Sequence, residues 1–474
     1  MTNLADVLLA PAASTPDATA LRDGAEVVTY RELEERAARV AGALRSEGVG
    51  PGDRVAIQGD NTIAFVASYL GALRIGAIAV PLNPHAPDAE LTREVESVEP
   101  SVVLRPPLDG TAGDAEPAAT VERDADDTAV LLFTAGTAGA PKAAMLTHGN
   151  LTSNIRQVLD HPGLALTPED VTLGVLPLFH VFGLNAVLGI GLAAGASTVL
   201  IDDFQPADAL STVRELGVTV LAGVPAMYHA FLELDDATAP PDAFASLRLA
   251  VSGAAPLTED LFEGMRKRFD VVVYEGYGLT EASPIVTTSA IGRRDPAPGS
   301  IGPPLPGVDV CLADVDGTDV LPGDPGEIRV HGPNVFAGYW RDPEATATAL
   351  TADGWLRTGD IAVADDAGEL SLVDRAKDLV IVSGFNVYPA EVEEVLLEHP
   401  YVAEAAVVGE PDPRTGETIV AFVVPEPGRR PPTDELLAQC ARSLARYKCP
   451  TRVEVVEALP RSFAGKVLRR ELRR

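Results

Sequence analysis

Thr134-Ala-Gly-Thr-Ala-Gly-Ala-Pro-Lys142 separates two short apolar segments, Ala129-Val-Leu-Leu-Phe133 and Ala143-Ala-Met-Leu146. Apolar segments of this length, interrupted by Gly and Pro, predict two strands joined by a loop. The Walker phosphate loop places Gly directly before its Lys and Ser or Thr directly after it. Here Pro and Ala occupy those two positions, so the stretch does not match that motif.

The residue types in this loop suit an anion. Gly136 and Gly139 can adopt backbone dihedrals that other residues avoid, and small side chains leave backbone N–H groups accessible to a phosphate. Thr134 and Thr137 offer hydroxyl groups, and Lys142 offers a positive charge. The loop is therefore a candidate polyphosphate site. A glycine-rich hairpin with one exposed lysine explains the stretch about equally well.

Length and charge limit the classes of protein. A chain of 474 residues predicts at least two domains and a large core. Apolar residues make up 46% of it, which is typical of a globular protein. The 37 basic and 69 acidic residues give a net charge of −32. This charge argues against nucleic-acid binding and allows at most peripheral contact with a membrane.

Cysteine and histidine usage indicates no metal cluster. Cys311, Cys440 and Cys449 lack the spacing of metal ligands, and the histidines are scattered. Reduced thiols explain the cysteines best. Residues 1–6 contain neither the basic region nor the apolar core of a signal peptide. We therefore expect a cytoplasmic protein.

Residues 181–201 carry no charge and are long enough to span a bilayer. However, the segment contains four glycines and Asn185, and it has no basic flanks. We therefore predict a buried helix followed by a buried strand at residues 196–201.

Helical and strand patterns alternate near the N-terminus. Thr29 and Glu32 predict a capping box ahead of a helix. Strands are predicted at residues 54–57 and 77–80, with a helix over residues 63–74 between them. This alternation favours an α/β domain with parallel strands.

Further motifs follow the loop along the chain. They are Leu176-Pro-Leu-Phe-His-Val-Phe-Gly183, Val251-Ser-Gly-Ala-Ala-Pro256, Glu275-Gly-Tyr-Gly-Leu-Thr-Glu281, Trp355-Leu-Arg-Thr-Gly-Asp360, Asp374-Arg-Ala-Lys-Asp378 and Leu459-Pro-Arg-Ser-Phe-Ala-Gly-Lys466. Together with the loop they resemble the motifs of the adenylate-forming superfamily, which contains acyl-CoA synthetases, luciferases and peptide-synthetase adenylation domains. The resemblance covers nearly the whole chain and is strongest to fatty acyl-CoA ligases.

The chain departs from the superfamily pattern at four positions. The usual loop has Ser, Thr and Gly where this chain has Ala135, Ala138 and Ala143. The usual terminal motif has Thr or Ser where this chain has Ala464. Because the backbone donors of the loop remain, we expect weakened phosphate contacts rather than loss of the site.

The resemblance implies an ATP and AMP site with Mg²⁺ as cofactor. Tyr277 would stack on adenine, and Asp360 would accept hydrogen bonds from the ribose hydroxyls. Arg375 would contact ribose or phosphate, and Glu281, with Thr280, would hold Mg²⁺. The implied nucleotide-binding residues are Thr134, Gly136, Thr137, Gly139, Lys142, Gly253, Ala255, Tyr277, Gly278, Thr280, Asp360 and Arg375. The implied catalytic residues are Lys466, His180 and Lys142.

The resemblance also implies an acyl pocket. Its predicted lining is Phe179, His180, Phe182, Gly183, Ala226 and Met227. Relatives that activate amino acids carry an Asp near the first of these segments, whereas this chain has His180. Neither residues 176–183 nor residues 221–228 include a lysine or arginine that could pair with a second carboxylate of the substrate. A buried unpaired charge is costly. We therefore expect a monocarboxylic acid with an apolar tail.

The implied fold is α/β, with two α/β lobes and a β subdomain followed by a smaller mobile α+β domain. The predicted boundaries are residues 1–374 for the large domain, 375–378 for the hinge with Lys377 at the pivot, and 379–474 for the lid. Gly384 and Asn386 are implied to line a CoA channel. Because Lys466 lies on the same small domain, we expect this domain to rotate between two half-reactions.

The implied reaction converts a medium- or long-chain fatty acid, ATP and CoA to acyl-CoA through an acyl-adenylate. Three alternatives remain open: transfer to a carrier protein or oxidation of the adenylate, an aryl acid as substrate, and a degenerate nucleotide-binding protein. Partners would be small molecules, and the sequence does not define an oligomer.

Overall fold

The structure of the protein is a computed structural model. It describes residues 3–473 except 106–114, 135–141, 291–295, 298, 315–316, 322, 366–367, 376–377, 379, 383–384, 413–415, 445 and 462–466. At residues 89, 374–375, 381, 385–386 and 416 only the backbone is described.

The chain divides into two compact units. The first contains Met1–Val310 and Val330–Arg357, and the second contains Cys311–Arg329 and Thr358–Arg474. The predicted hinge at residues 375–378 falls in the second unit and stays a prediction.

Strands are numbered along the chain. They are β1 Thr19–Asp23, β2 Glu26–Thr29, β3 Arg54–Gln58, β4 Ile78–Leu82, β5 Val102–Leu104, β6 Thr128–Thr134, β7 Lys142–Thr147, β8 Val171–Gly174, β9 Ser197–Leu200, β10 Val220–Gly223, β11 Leu249–Ser252, β12 Val273–Gly278, β13 Ile285–Thr288, β14 Ser300–Gly302, β15 Asp309–Ala313, β16 Gly326–His331, β17 Leu356–Ala364, β18 Leu370–Arg375, β19 Val380–Val382, β20 Phe385–Val387, β21 Val402–Asp412, β22 Gly416–Pro425 and β23 Arg452–Val455.

The α-helices are numbered in the same way. They are α1 Leu4–Leu8, α2 Pro11–Ser14, α3 Tyr30–Ser46, α4 Ile63–Arg74, α5 Asp88–Val98, α6 His148–Leu159, α7 Ile190–Ala194, α8 Pro206–Leu216, α9 Pro225–Glu233, α10 Glu259–Phe269, α11 Pro343–Ala349, α12 Pro389–Leu397 and α13 Thr433–Ser443. A π-helix covers Phe182–Gly189, and 3₁₀ turns cover Thr280–Ala282, Arg446–Lys448 and Arg469–Glu471.

The first unit contains two sheets. One has the order β13-β12-β11-β10-β8-β9-β1-β2, and the other has the order β5-β3-β4-β6-β7. Neighbours such as β3 and β4, or β10 and β11, are parallel, as the sequence predicted. The predicted capping box is also confirmed, because Thr29 and Glu32 each bond the other's backbone at the start of α3. The helix α4 has the predicted bounds.

Residues 181–201 form helical structure followed by the strand β9, which confirms the prediction. The helical part begins as a π-helix, in which most residues are buried, before it continues as α7. Gly195 ends α7 in the left-handed region, at φ 78°, which glycine adopts without steric cost. Across the described part of the chain, no helix is both long enough and apolar enough to cross a membrane.

The core of the first unit lies between its sheets and helices. One cluster packs Phe231, Phe244 and Phe269 in edge-to-face pairs beneath α8, α9 and α10. This packing fixes β10, β11 and β12 beside one another, with their carboxyl ends at the same edge of the sheet. Ligands of open α/β sheets bind at such edges.

The second unit contains β18 and most of β15, β16 and β17, which are neighbours in the order β18-β17-β16-β15. A separate sheet has the order β20-β19-β22-β21, and β23 pairs with β22. Pro389 is the first residue of α12. The helices α12 and α13 cover this second sheet through a core that includes Val392, Leu396 and Leu436.

Candidate active site

The predicted phosphate loop is the connection of a β-hairpin. Strands β6 and β7 are antiparallel, and Thr134 lies opposite Lys142. The Thr134 hydroxyl donates a hydrogen bond to the backbone oxygen of Lys142 at 3.5 Å. The two predicted strands are therefore confirmed. Gly136, Thr137 and Gly139 lie outside the described residues, so their phosphate contacts stay predictions.

Tyr339 connects two predicted site residues. Its backbone segment pairs with β7, since Met145 N donates to Gly338 O at 2.9 Å. Lys142 Nζ lies 5.2 Å from the centroid of the Tyr339 ring. The Tyr339 hydroxyl donates to Glu281 Oε1 at 2.7 Å. Tyr339 thus brings the lysine at the end of the loop and the predicted metal-binding carboxylate to one place.

Sequence analysis missed Tyr339. The local signal was an aromatic pair, Tyr339 and Trp340, directly after Gly338, in a short extended stretch ahead of a helix. Burial and the negative charge of Glu281 raise the pKa of Tyr339 above its usual value. The hydroxyl therefore keeps its proton and acts as a hydrogen-bond donor to Glu281.

Glu281 and Thr280 fit a magnesium ion. They lie together on the 3₁₀ turn that follows β12, and both are partly buried. Carboxylate and hydroxyl oxygens are the hard ligands that Mg²⁺ prefers, and Mg²⁺ usually takes its other ligands from water and substrate phosphates. Within the described ranges, no group of three His, Cys, Asp or Glu could form a cage for a metal. Glu281 and Thr280 alone would leave most coordination positions of Mg²⁺ to water and substrate phosphates.

The predicted adenine site lies at the ends of β11 and β12. Ser252 pairs in parallel with Glu275, so Gly253 and Gly276 follow at the same edge. A Cβ at Gly253 would lie 3.4 Å from Gly276 O and 3.1 Å from a ring carbon of Phe182. Gly253 thus allows the backbone and an acyl-pocket ring to approach closely.

The first four residues of the motif 275–281 lie on a strand, β12, which begins at Val273. Alternation along β12 buries Tyr277, whose side chain is 7% exposed. A Cβ at Gly278 would lie only 2.0 Å from Pro284 O, so the chain return at Pro284 requires a glycine there.

Glu275 is a second residue that the sequence analysis did not assign. It is 5% exposed, and its Oε1 accepts a hydrogen bond from Leu257 N at 3.2 Å. Burial raises its pKa to about 7. The bond ties residues 253–257, which include the predicted nucleotide contact Ala255, to β12. Ala254 in this loop has a positive φ of 69°, an uncommon conformation for a residue with a side chain.

The predicted acyl-pocket residues lie at the start of the π-helix and at the start of α9. Phe182 and Met227 pack into one apolar cluster with Leu176, Val187 and Ala222. A Cβ at Gly183 would lie 2.2 Å from Pro177 O. The structure therefore brings these two segments together, although Ala226 is exposed on the first turn of α9.

His180 lies beside this cluster, with its ring centroid 4.9 Å from that of Phe179. The side chain is exposed to solvent, but surrounding protein atoms limit its hydration and lower its pKa. A neutral imidazole at pH 7 can donate or accept a hydrogen bond. It can therefore contact a carboxylate without adding a full charge.

The remaining predicted residues lie in the second unit. Asp360 is 7% exposed on β17, and its backbone pairs with that of Arg375 on β18. Asn386 lies on β20, opposite Ile381. Lys377, Gly384 and Lys466 lie outside the described residues. The roles of all these residues stay predictions.

Comparison with known proteins identifies the family and the fold class of this chain. The AMP-binding enzyme family matches residues 9–340, and the AMP-binding enzyme C-terminal domain matches residues 391–466. The chain belongs to this family of adenylate-forming enzymes and is an AMP-forming acid–CoA ligase. The α/β fold with a large N-terminal and a smaller C-terminal domain, expected from the sequence, is confirmed by solved members.

Individual relatives differ in the acid that their names give. The chain is 41% identical to a feruloyl-CoA synthase of Amycolatopsis sp, over 97% of this chain and 96% of the relative. It is 37% identical to a long-chain-fatty-acid–CoA ligase of Yersinia pestis, over 94% and 90% respectively. The O-succinylbenzoate coenzyme A synthetase MenE of Bacillus subtilis, solved with ATP and magnesium ion, has 32% identity and a TM-score of 0.87, over 98% of this chain and 99% of that one.

Proposed function

We propose that this protein activates a monocarboxylic acid with an apolar tail and transfers it to CoA. In the first step, a carboxylate oxygen attacks the α-phosphorus of ATP, and pyrophosphate leaves. In the second step, the CoA sulfur attacks the acyl carbon of the adenylate, and AMP leaves. The observation that carries the proposal is the contact of Tyr339 with both Lys142 and Glu281. It places a cation and a hard oxygen ligand together, as a nucleotide triphosphate requires.

The chain's own residues would work by positioning and charge. Lys142 and the loop N–H groups would hold the departing phosphates, and Tyr339 would orient Glu281. When bound at Glu281 and Thr280, Mg²⁺ would neutralise phosphate charge. Lys466 would bridge the substrate carboxylate and the α-phosphate, where negative charge develops. Such positioning needs no nucleophile from the enzyme.

Two observations support an apolar tail. Phe182 and Met227 are partly buried and pack against an apolar cluster of Leu176, Val187 and Ala222. The relatives also act, by their names, on a feruloyl or a long-chain fatty acyl group. We take an aryl acid of the ferulate type as the first candidate because of the 41% identity. The medium- or long-chain fatty acid expected from the sequence is the second candidate, favoured by the apolar cluster.

A substrate panel tests the proposal. Ferulate, octanoate, palmitate, malonate and an amino acid are each supplied with ATP, Mg²⁺ and CoA, and AMP and acyl-CoA are quantified. The expected result is the highest kcat/KM for ferulate or for one of the two fatty acids. Preference for malonate or for the amino acid would reject the apolar-tail assignment, and AMP without acyl-CoA would reject CoA as acceptor.

A matched pair of variants tests the site itself. Lys142→Gln should slow pyrophosphate release, because the departing phosphates lose a positive charge. Lys267→Gln removes an exposed lysine from α10 and should leave the rate unchanged. Equal rates for the two variants would show that Lys142 has no part in the reaction.

A further inference from the structure

Arg469 forms a largely buried ion-pair network in the second unit. Its Nη2 donates to Glu393 Oε2 at 2.9 Å, and its Nε donates to Glu393 Oε1 at 3.3 Å. Its Nη1 lies 3.4 Å from Asp378 Oδ2. The side chains of Arg469, Glu393 and Asp378 are only 18%, 14% and 15% exposed. Water therefore screens these pairs less than it would at the surface.

The network joins three parts of the chain that are distant in sequence. Asp378 is the last residue of the predicted hinge. Glu393 lies on α12, and its Oε1 also accepts a bond from Val407 N at 2.6 Å on β21. Arg469 begins the last 3₁₀ turn, three residues after Lys466. The Arg469 guanidinium thus connects the predicted hinge and the helix α12 to the chain just after the terminal motif.

The residues on either side of residues 462–466 also form hydrogen bonds and an ion pair. Arg461 and Val467 form an antiparallel bridge, and Leu468 N donates to Pro460 O at 2.7 Å. Arg461 forms an ion pair with Glu404 on β21. Arg461 and Val467 thus form the paired base of the Lys466 segment. Arg469 lies two residues beyond Val467, so its contacts determine where this base lies relative to α12.

We propose that Arg469 is a positioning residue that holds the base of the Lys466 segment against Glu393 and the hinge residue Asp378. This inference rests on the proposed function, in which Lys466 serves adenylate formation. A planar guanidinium that binds a carboxylate with two nitrogens defines direction as well as distance, which a lysine ammonium does not. A displacement of about 1 Å in a reacting group can cost about 100-fold in rate. The thioester step does not use Lys466 and should be insensitive to Arg469.

The test separates the two half-reactions. Pyrophosphate release from acid and ATP is measured in single turnover, and thioester formation is measured from supplied acyl-adenylate and CoA. Arg469→Lys keeps the charge but loses the two-nitrogen geometry. It should slow pyrophosphate release at least about 10-fold, with KM for ATP and the thioester rate within about twofold of wild type. Arg452→Gln removes an arginine that is 45% exposed in the same unit and is the matched control.

A second variant distinguishes loss of positioning from a folding defect. Removing one member of a buried ion pair leaves an unpaired charge and is strongly destabilising. Arg469→Gln combined with Glu393→Gln removes both charges and should show the same selective loss, with a melting temperature close to that of wild type. Equal loss of both half-reactions in the variants, or no loss in either, would overturn the inference.

Lys466→Ala distinguishes this inference from the function on which it rests. If Lys466→Ala abolishes adenylate formation but both Arg469 variants are fully active, the positioning role is wrong and the proposed function stands. If Lys466→Ala leaves adenylate formation intact, the proposed role of Lys466 fails, and the inference fails with it.

Discussion

Removal of the Tyr339 hydroxyl is the most specific single change in the candidate site. Tyr339→Phe removes the donor to Glu281 Oε1 at 2.7 Å but keeps the ring that faces Lys142 at 5.2 Å. Glu281 would then lose the bond that orients its carboxylate. We expect weaker binding of Mg²⁺ in the presence of ATP, with the position of Lys142 unchanged.

The magnitude follows from the type of bond. A hydrogen bond to a charged group contributes roughly 1.5–3 kcal/mol, and Tyr339 is only partly buried, so the lower limit applies. About 1.4 kcal/mol corresponds to a tenfold change in an equilibrium constant. Loss of a partner that orients a metal ligand typically weakens metal binding about 10- to 100-fold. Both routes predict about a tenfold rise in the Mg²⁺ concentration at half-saturation.

Isothermal titration of Mg²⁺ into protein with ATP measures this value without catalysis. Tyr339→Leu should raise it further, because the cation–π contact with Lys142 is also lost. Tyr228→Phe is the matched control, since the Tyr228 hydroxyl donates to the backbone oxygens of Leu221 and Val251. Mg²⁺ binding by Tyr339→Phe as tight as in the wild type, or tighter, would refute the reasoning.

Two further predictions concern the loop and Glu275. Ala135→Ser with Ala138→Thr should lower KM for ATP, since each added bond to phosphate contributes roughly 1.5–3 kcal/mol at most; an unchanged or higher KM would mean that the backbone donors suffice. The pKa of Glu275 is raised from 4.5 to about 7 in the folded state, so its contribution to stability is greatest below pH 4.5 and falls as the pH rises to about 7. Glu275→Gln should remove this loss of stability, which is at most about 3 kcal/mol. Urea unfolding at pH 5 and pH 8 measures the free energy of unfolding of the variant and the wild type. Equal pH dependence in both proteins would contradict the prediction.

Local features of the sequence were sufficient for several elements. The capping residues Thr29 and Glu32 contact each other within one turn, so the start of α3 was readable from their spacing. The helix α4 and the hairpin around residues 134–142 also follow from apolar patterns and breakers near in sequence. The order of short motifs was sufficient for the family, because each motif is contiguous.

Other features could not be predicted from local patterns. The segment Phe182–Gly189 was expected to be helical, but its π-helical winding depends on close packing, such as that of Gly183 against Pro177. The strand β12 continues to Gly278 because β13 pairs with its end. Neither effect appears in the periodicity of the segment itself.

The sequence by itself determined the family, the α/β class and the residue types that a nucleotide and an acid require. Tertiary structure alone decided which of these side chains meet. Tyr339 contacts Glu281 although 58 residues separate them, and Arg469 contacts Asp378 across 91 residues. Such pairs form only when packed strands and helices bring their backbones together, because hydrogen bonds and ion pairs of this kind act over a few ångströms.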